Sequence, residues 1–364
     1  MSWSWTLYRY LAIQFLAGIA IVYIALLTLA FSIDIVDLLN RTAGHNVPIA
    51  IVVSMAILYL PDLGQQFLPF AVLLGGIFSF ARLSRSQELV ATRAAGMSAW
   101  DFLVPPLSVA MALGIATVAL FTPLSARMYS AYAPLDARYI KGEASQLSVS
   151  QNGLWLRQGN ETQQAVIHAV RVADQGRRLN DVLVLLYRGG DKFAGRIDAK
   201  SADLGEHVWV LKDAYVSGVG GGRPVHHDSY QLPTTLTPDQ IQQISTAPEA
   251  MSFWTLPGFI RDAQAAGFSV LRYRVYLYTL YALPFLFAAM VFMGASFSLH
   301  LSRAGGVARV ILLGAASGFG VYFFSRLTMV LGNNGAVPAW LAAPAPAIAS
   351  ILIGMTLLFH QEDG

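Results

Sequence analysis

Apolar and polar positions divide the chain into six long apolar runs and one polar insert. Residues 11–33 are apolar apart from Gln14 and small hydroxyls, and Asp34, Asp37 and Arg41 end the run. At about 1.5 Å per residue such a run crosses a hydrocarbon core of about 30 Å as a helix. After turn residues at 44–48, a second run covers 49–81 and is interrupted by Pro61, the polar stretch 62–66 and Pro69. Each proline removes a backbone donor, so this run predicts a kinked helix whose freed carbonyls face protein or a cavity. A third span is predicted at 102–121, with Pro105 and Pro106 near its start.

The texture then changes. Over 134–248, short β-prone runs (153–156, 165–170, 181–187, 207–211) alternate with Gln-Gly-Asn, Arg-Gly-Gly-Asp and Gly-Val-Gly-Gly-Gly turns, the pattern of an antiparallel sandwich or open roll. Residues 252–266 predict an amphipathic helix able to lay Phe253, Trp254, Leu256, Phe259 and Ile260 in an interface. Three more spans follow at 275–297, 307–331 and 340–359. The expected fold is an α-helical membrane protein with six transmembrane helices and an all-β domain inserted between helices 3 and 4. Its parts are 1–133, 134–250 and 251–364.

Composition agrees with a membrane protein: 55% of the 364 residues are hydrophobic and 12% charged. The net charge of +3 is scattered, which excludes a nucleic-acid stripe. The absence of cysteine excludes disulfides, thiolate metal sites and Cys nucleophiles. The first run lacks the length and cleavage pattern of a signal peptide and is read as a retained span. Arg9, Arg82, Arg85, Arg93, Arg303 and Arg309 fall on one side of the spans, against Arg41 and Arg326 on the other. Positive charge marks the cytoplasmic side, so both termini are expected inside and the β domain outside.

Little in the chain carries chemistry. There is no GxxxxGK[ST] loop and no GxSxG elbow. His226 and His227 are adjacent, so on a strand they face opposite sides. Asn40-Arg-Thr and Asn160-Glu-Thr are chance-level glycosylation patterns, and 314–318 is a small-residue stripe suited to helix packing. No cofactor is expected.

The charged stretch 82–101 is more informative. Ser84 with Gln87 reads as a capping box, 87–95 as helix, Gly96 as its C-cap, and Ser98 with Asp101 as the cap of the third span. A helix of about two and a half turns does not stand alone. Residues 84–96 are either a solvated loop or a coupling helix seated in a groove of a separate ATPase subunit. In the second case Glu88 and Arg93 make charged contacts and Leu89, Val90 and Ala94 fill the groove. Arg41 and Arg326 either snorkel or hold an anionic headgroup. An ion-coupled secondary transporter, with Asp62 beside the kink, and a membrane-anchored scaffold with an outer binding domain stand as alternatives.

Several segments, taken in order, resemble the LptF/LptG lipopolysaccharide-export permease family, its LptG branch above all. They are 35–39 (IVDLL), 67–76 (FLPFAVLLGG), 86–96 (SQELVATRAAG), 151–160 (QNGLWLRQGN), 236–239 (LTPD) and 317–322 (SGFGVY). The resemblance implies a six-span inner-membrane subunit of an ABC transporter with a periplasmic jellyroll-like β domain. It implies pairing with an LptF-like permease, an LptB-like ATPase dimer and an LptC-like single-span protein, and export of lipopolysaccharide with no catalytic residue of its own. It implies that the Glu88 helix, through Gly96, is the ATPase contact, and that the first and fifth spans wall a lipid cavity. Substrate contacts are expected from Arg41, Phe67 and Arg326. Lysines common at the outer end of the family's first span are replaced here by Asp34, Asn40 and Arg41, and one in the fourth span by Leu280.

Overall fold

The computed structural model describes residues 5–43, 47–88, 98–140, 146–147, 154–159, 163–173, 177–188, 192–205, 208–218, 223–234, 247–265, 269–301 and 307–362. Six helices are long and apolar enough to cross a membrane. The first three are α1 (Trp5–Thr42), α2 (Ile49–Arg85) and α3 (Ala99–Ala116), the last continuing through a π-helical segment, Thr117–Phe121, into α4 (Thr122–Tyr139). After the β strands come α5 (Leu256–Ala265), α6 (Leu271–Leu301), α7 (Val307–Asn333), the short α8 (Ala339–Ala342) and α9 (Ala345–Glu362).

The helices outrun the apolar stretches that predict them. Apolar runs end where side chains must avoid hydrocarbon, whereas backbone hydrogen bonding continues into the headgroup layer. The third span shows this most, running from Ala99 to Tyr139 where 102–121 is predicted. Its start is capped as predicted: Ser98 Oγ accepts from the Asp101 N–H at 3.1 Å and Asp101 reaches back to the Ser98 N–H at 3.2 Å. The other predicted cap is not formed. Ser84 lies inside α2, and Gln87 adopts φ +62° with its N–H on the Ser84 carbonyl, so this pair closes α2.

In the π segment one extra residue per turn frees carbonyls. The Thr122 hydroxyl donates to Thr117 O at 3.1 Å, and the Trp254 indole N–H donates to Ala119 O at 3.0 Å. The neighbouring helix α5 is shorter than predicted. Leu256 and Ile260 are buried inside the protein, so they are not free to lie in an interface, whereas Trp254 is exposed.

The chain divides into two compact units, one of Met1–Tyr132, Glu249–Leu256 and Leu271–Gly364, the other of Ala133–Pro248 and Pro257–Val270. In the first, α6 is central, with 67% of its span buried against 17% for α1 and α7. Without a hydrophobic drive between helices in lipid, association depends on close backbone approach. Glycines supply it. A Cβ on Gly75 would lie 2.6 Å from Ile19 Cα, one on Gly114 2.5 Å from Pro284 Cα, and one on Gly318 2.9 Å from Leu73 Cδ2. The 314–318 stripe thus packs α7 on α2. Phe15, Leu73, Ile77, Phe80, Leu103 and Phe287 fill the core. Opposite it, α1 exposes Ile21, Ile24 and Ile33, and α7 exposes Leu312, Phe319 and Phe323.

The second unit is built on a seven-stranded antiparallel sheet inserted between the third and fourth spans. Strands β3 (Gln163–Ala173), β4 (Arg178–Arg188), β5 (Lys192–Leu204), β6 (Val208–Gly218) and β7 (Val225–Pro233) form a meander, and β1 (Gln146–Leu147) and β2 (Leu154–Gly159) share the outer edge of β3. A crease crosses it. Pairing skips Asp181 and Lys200, then Lys200 and Asp213, then Asp213 and Asp228, with the register unchanged on either side. Asp181 and Asp213 sit at φ +54° and +53°, a left-handed conformation that Asp tolerates better than most residues. Strand alternation has period two, yet Leu179 and Val182, Ala199 and Ala202, and Leu211 and Ala214 are buried three apart. The crease resets the alternation so that one apolar face continues past the bend, as a jellyroll-like domain requires.

Candidate ligand cavity

A cavity of about 200 Å³ lies in the membrane unit. Three helices present it at helical spacing: Asp62, Gln65, Gln66, Pro69 and Phe70 from α2; Tyr276, Thr279, Leu280, Leu283, Leu286 and Met290 from α6; Gly318, Val321, Tyr322, Ser325, Arg326 and Met329 from α7. Glu249, from the 3-10 turn Pro248–Ala250, completes it. Along α2 the lining passes from carboxylate and amides to proline and phenylalanine over about 12 Å. The cavity therefore has a polar part and an apolar part.

One hydrogen-bonded chain organises the polar part. Gln66 Nε2 donates to Asp62 Oδ2 at 3.0 Å, while Gln66 Oε1 accepts from Arg326 Nη2 at 3.1 Å. The amide thus stands between carboxylate and guanidinium and meets each with its matching end. Arg326 Nε donates to the Tyr322 hydroxyl at 3.0 Å, and the guanidinium lies 5.2 Å from the centroid of that ring. Asp62 is buried, whereas Arg326 is exposed and marks where the cavity opens.

The structure places the sequence-predicted contact residues in different surroundings. Arg326 lines the cavity. Arg41 does not; it pairs with Asp37 one turn away at 2.7 Å, at the end of α1. Phe67 is also absent from the lining, because α2 turns its ring onto Phe70, 6.4 Å between centroids, and Phe70 faces the space. Leu280, where relatives were expected to carry a lysine, is a buried wall of the cavity. Glu88 lies near the Tyr10 hydroxyl of α1. Leu89, Val90, Arg93, Ala94 and Gly96 lie outside the described residues.

Asp62, Gln65 and Gln66 had a visible signal, three polar residues within an apolar run. Glu249 and Tyr276 had none, since only the packing of distant segments brings them to α2. Among the described residues no group of three or more metal-ligating side chains converges. His226 instead bonds Asp213 at 2.8 Å.

Six candidate spans, an inserted antiparallel β domain and a mixed polar and apolar cavity describe a multi-pass membrane protein. The family model "Lipopolysaccharide export system permease LptF/LptG" matches residues 9–360, and the chain belongs to that family. It is 25% identical over 367 residues to the lipopolysaccharide export system permease protein LptG of Escherichia coli strain K12, covering 97% of this chain and 98% of that protein. It is 24% identical over 369 residues to LptG of Haemophilus influenzae, covering 98% and 99%. The protein is thus a multi-pass inner-membrane transporter component.

Proposed function

We propose that this chain is the LptG-like permease subunit of an ABC-type exporter that extracts lipopolysaccharide from the inner membrane and passes it to a periplasmic bridge. The observation that carries the reading is the family match along 9–360 together with six spans around an inserted β domain. Secondary transport and scaffolding do not account for so complete a match.

In this reading 1–133 and 251–364 form the membrane part, with both termini in the cytoplasm, and 134–250 is the periplasmic domain. The arginines at 9, 82 and 85 favour that orientation. The partners are an LptF-like paralogue against the exposed faces of α1 and α7, an LptB-like ATPase dimer and an LptC-like single-span protein. The chain carries no catalytic residue, and the ATPase supplies the energy.

The residues at 84–96 act as the coupling helix. Glu88, Leu89, Val90, Arg93, Ala94 and Gly96 meet the ATPase, and closure of its dimer moves this segment. Displacement passes to α2, which directly precedes the segment in the chain, and to α1 at Tyr10, near Glu88. Arg41 and Arg326 take anionic parts of the headgroup, while the acyl chains are moved toward the apolar face of the β domain. That shelter is needed because each exposed CH₂ costs about 0.8 kcal/mol.

The test is co-purification from native membranes. The tagged intact chain is expected to bring an ATPase subunit with it, and Glu88→Arg to lose it while keeping its own fold. An intact chain that retains no ATPase defeats the proposal.

A further inference from the structure

The charges around the α2–α6–α7 cavity do not balance. Two carboxyl groups, Asp62 and Glu249, share it with one guanidinium, Arg326. Nor are they paired with each other. Arg326 is held by neutral acceptors, the Gln66 amide oxygen and the Tyr322 hydroxyl, and among the described residues no ion pair joins it to either acid. Gln66 keeps Asp62 and Arg326 apart while fixing both. An ionisable residue inside a membrane protein is costly unless it pairs or meets a ligand. Here groups of both signs are held separate in one space, with an apolar wall of Leu280, Leu283, Leu286 and Met290 beside them.

We propose that this cavity recognises a primary ammonium on a phosphate-bearing amphiphile, with Asp62 and Glu249 accepting from the ammonium and Arg326 donating to the phosphate. The assignment rests on the exporter reading only for the identity of the natural ligand. At about 200 Å³ the space is smaller than the roughly 300–1,000 Å³ of whole-ligand pockets, so it takes a headgroup substituent and the start of a chain. Leu280 supports this, since an apolar residue there adds no second cation beside the two acids. The ligand is phosphoethanolamine-like. Its source is either an amine-substituted lipopolysaccharide or phosphatidylethanolamine of the surrounding bilayer.

The experiment uses the full-length chain in detergent, with bound lipid counted by native mass spectrometry. Phosphatidylethanolamine is expected to bind about tenfold or more tightly than phosphatidylcholine, whose quaternary nitrogen has no N–H to donate, and than phosphatidylglycerol, which has no ammonium. Asp62→Asn and Glu249→Gln are each expected to shrink that preference to within about twofold. Glu249→Gln is the safer variant for folding because Glu249 is only partly buried; Asp262→Asn, at an exposed residue that does not line the cavity, keeps the preference. Rough lipopolysaccharide with and without phosphoethanolamine groups separates the sources. An amine preference there assigns the site to export cargo, and a preference confined to the phospholipid assigns it to a bilayer lipid; both uphold the ammonium site. Equal binding of phosphatidylethanolamine and phosphatidylglycerol by the intact chain overturns it, as does a preference that survives in the Asp62→Asn/Glu249→Gln double variant. A chain that retains its ATPase without amine preference loses this assignment alone, whereas one with the preference and no ATPase loses the exporter reading alone.

Discussion

Gly75→Ala tests whether backbone contact holds α1 to the rest of the membrane unit. The added Cβ would stand 2.6 Å from Ile19 Cα, 2.7 Å from Ile19 N and 2.9 Å from Gly18 C, all backbone atoms, so no rotamer change relieves it. Ordinary contact begins near 3.4 Å, so restoring it from 2.6 Å takes a separation of α1 and α2 of about 0.8 Å. A gap of about 0.5–1 Å forfeits a quarter to a half of the dispersion attraction along the seam, where Leu11, Phe15 and Ile19 are buried. In lipid no hydrophobic gain compensates. The expected cost is about 1–3 kcal/mol, read as a lower midpoint of SDS-induced unfolding in mixed micelles. Gly75→Val is expected to lower it further. The control is Gly320→Ala on α7, where an added Cβ meets nothing within 4 Å and removal of a helical glycine adds up to about 1 kcal/mol. If Gly75→Ala unfolds at or above the wild-type midpoint, the backbone-contact argument is wrong.

Two further outcomes follow from the geometry. Trp254→Phe removes the indole donor of Ala119 O in the π segment, and in the same micelle titration it is expected to cost about 1–2 kcal/mol, whereas Trp340→Phe, at an exposed indole, stays within about 0.5 kcal/mol. In the β domain, partial burial works to raise the Asp203 pKa, but hydrogen bonds from Arg178 at 2.6 Å and Lys212 at 2.7 Å outweigh it and hold the value below the ordinary one. A carboxylate with a depressed folded-state pKa contributes stability above its unfolded value, about 3.9, and loses it as pH falls through the folded value. Thermal unfolding of Asp203→Asn is therefore expected to show lower stability than wild type at pH 7 and a smaller loss on acidification below pH 4; an unchanged acid limb refutes this.

How far the chain could be read depended on whether a feature is local. The spans were legible because lipid demands an unbroken apolar run, and the Ser98 cap because all its partners lie within three residues. Strand β5 was not among the predicted runs, since its Lys, Arg, Asp and Ala mixture lacks the concentration of large aliphatic and aromatic residues that marks β2, β3, β4 and β6. The crease escaped for a related reason: left-handed Asp181 and Asp213 break the period of two on which strand reading relies.

The sequence by itself determined that this is a six-span protein with a β insert, because hydrophobic length and alternation are properties of a segment and its solvent. Its ordered motifs also determined the family. Only the tertiary structure decided that Phe70 rather than Phe67 faces the cavity, that Arg41 turns to Asp37, and that Glu249 joins Asp62 and Arg326 across 187 and 77 residues of sequence. These depend on the rotation of one helix against another, and that is set by glycine contacts between segments far apart in the chain.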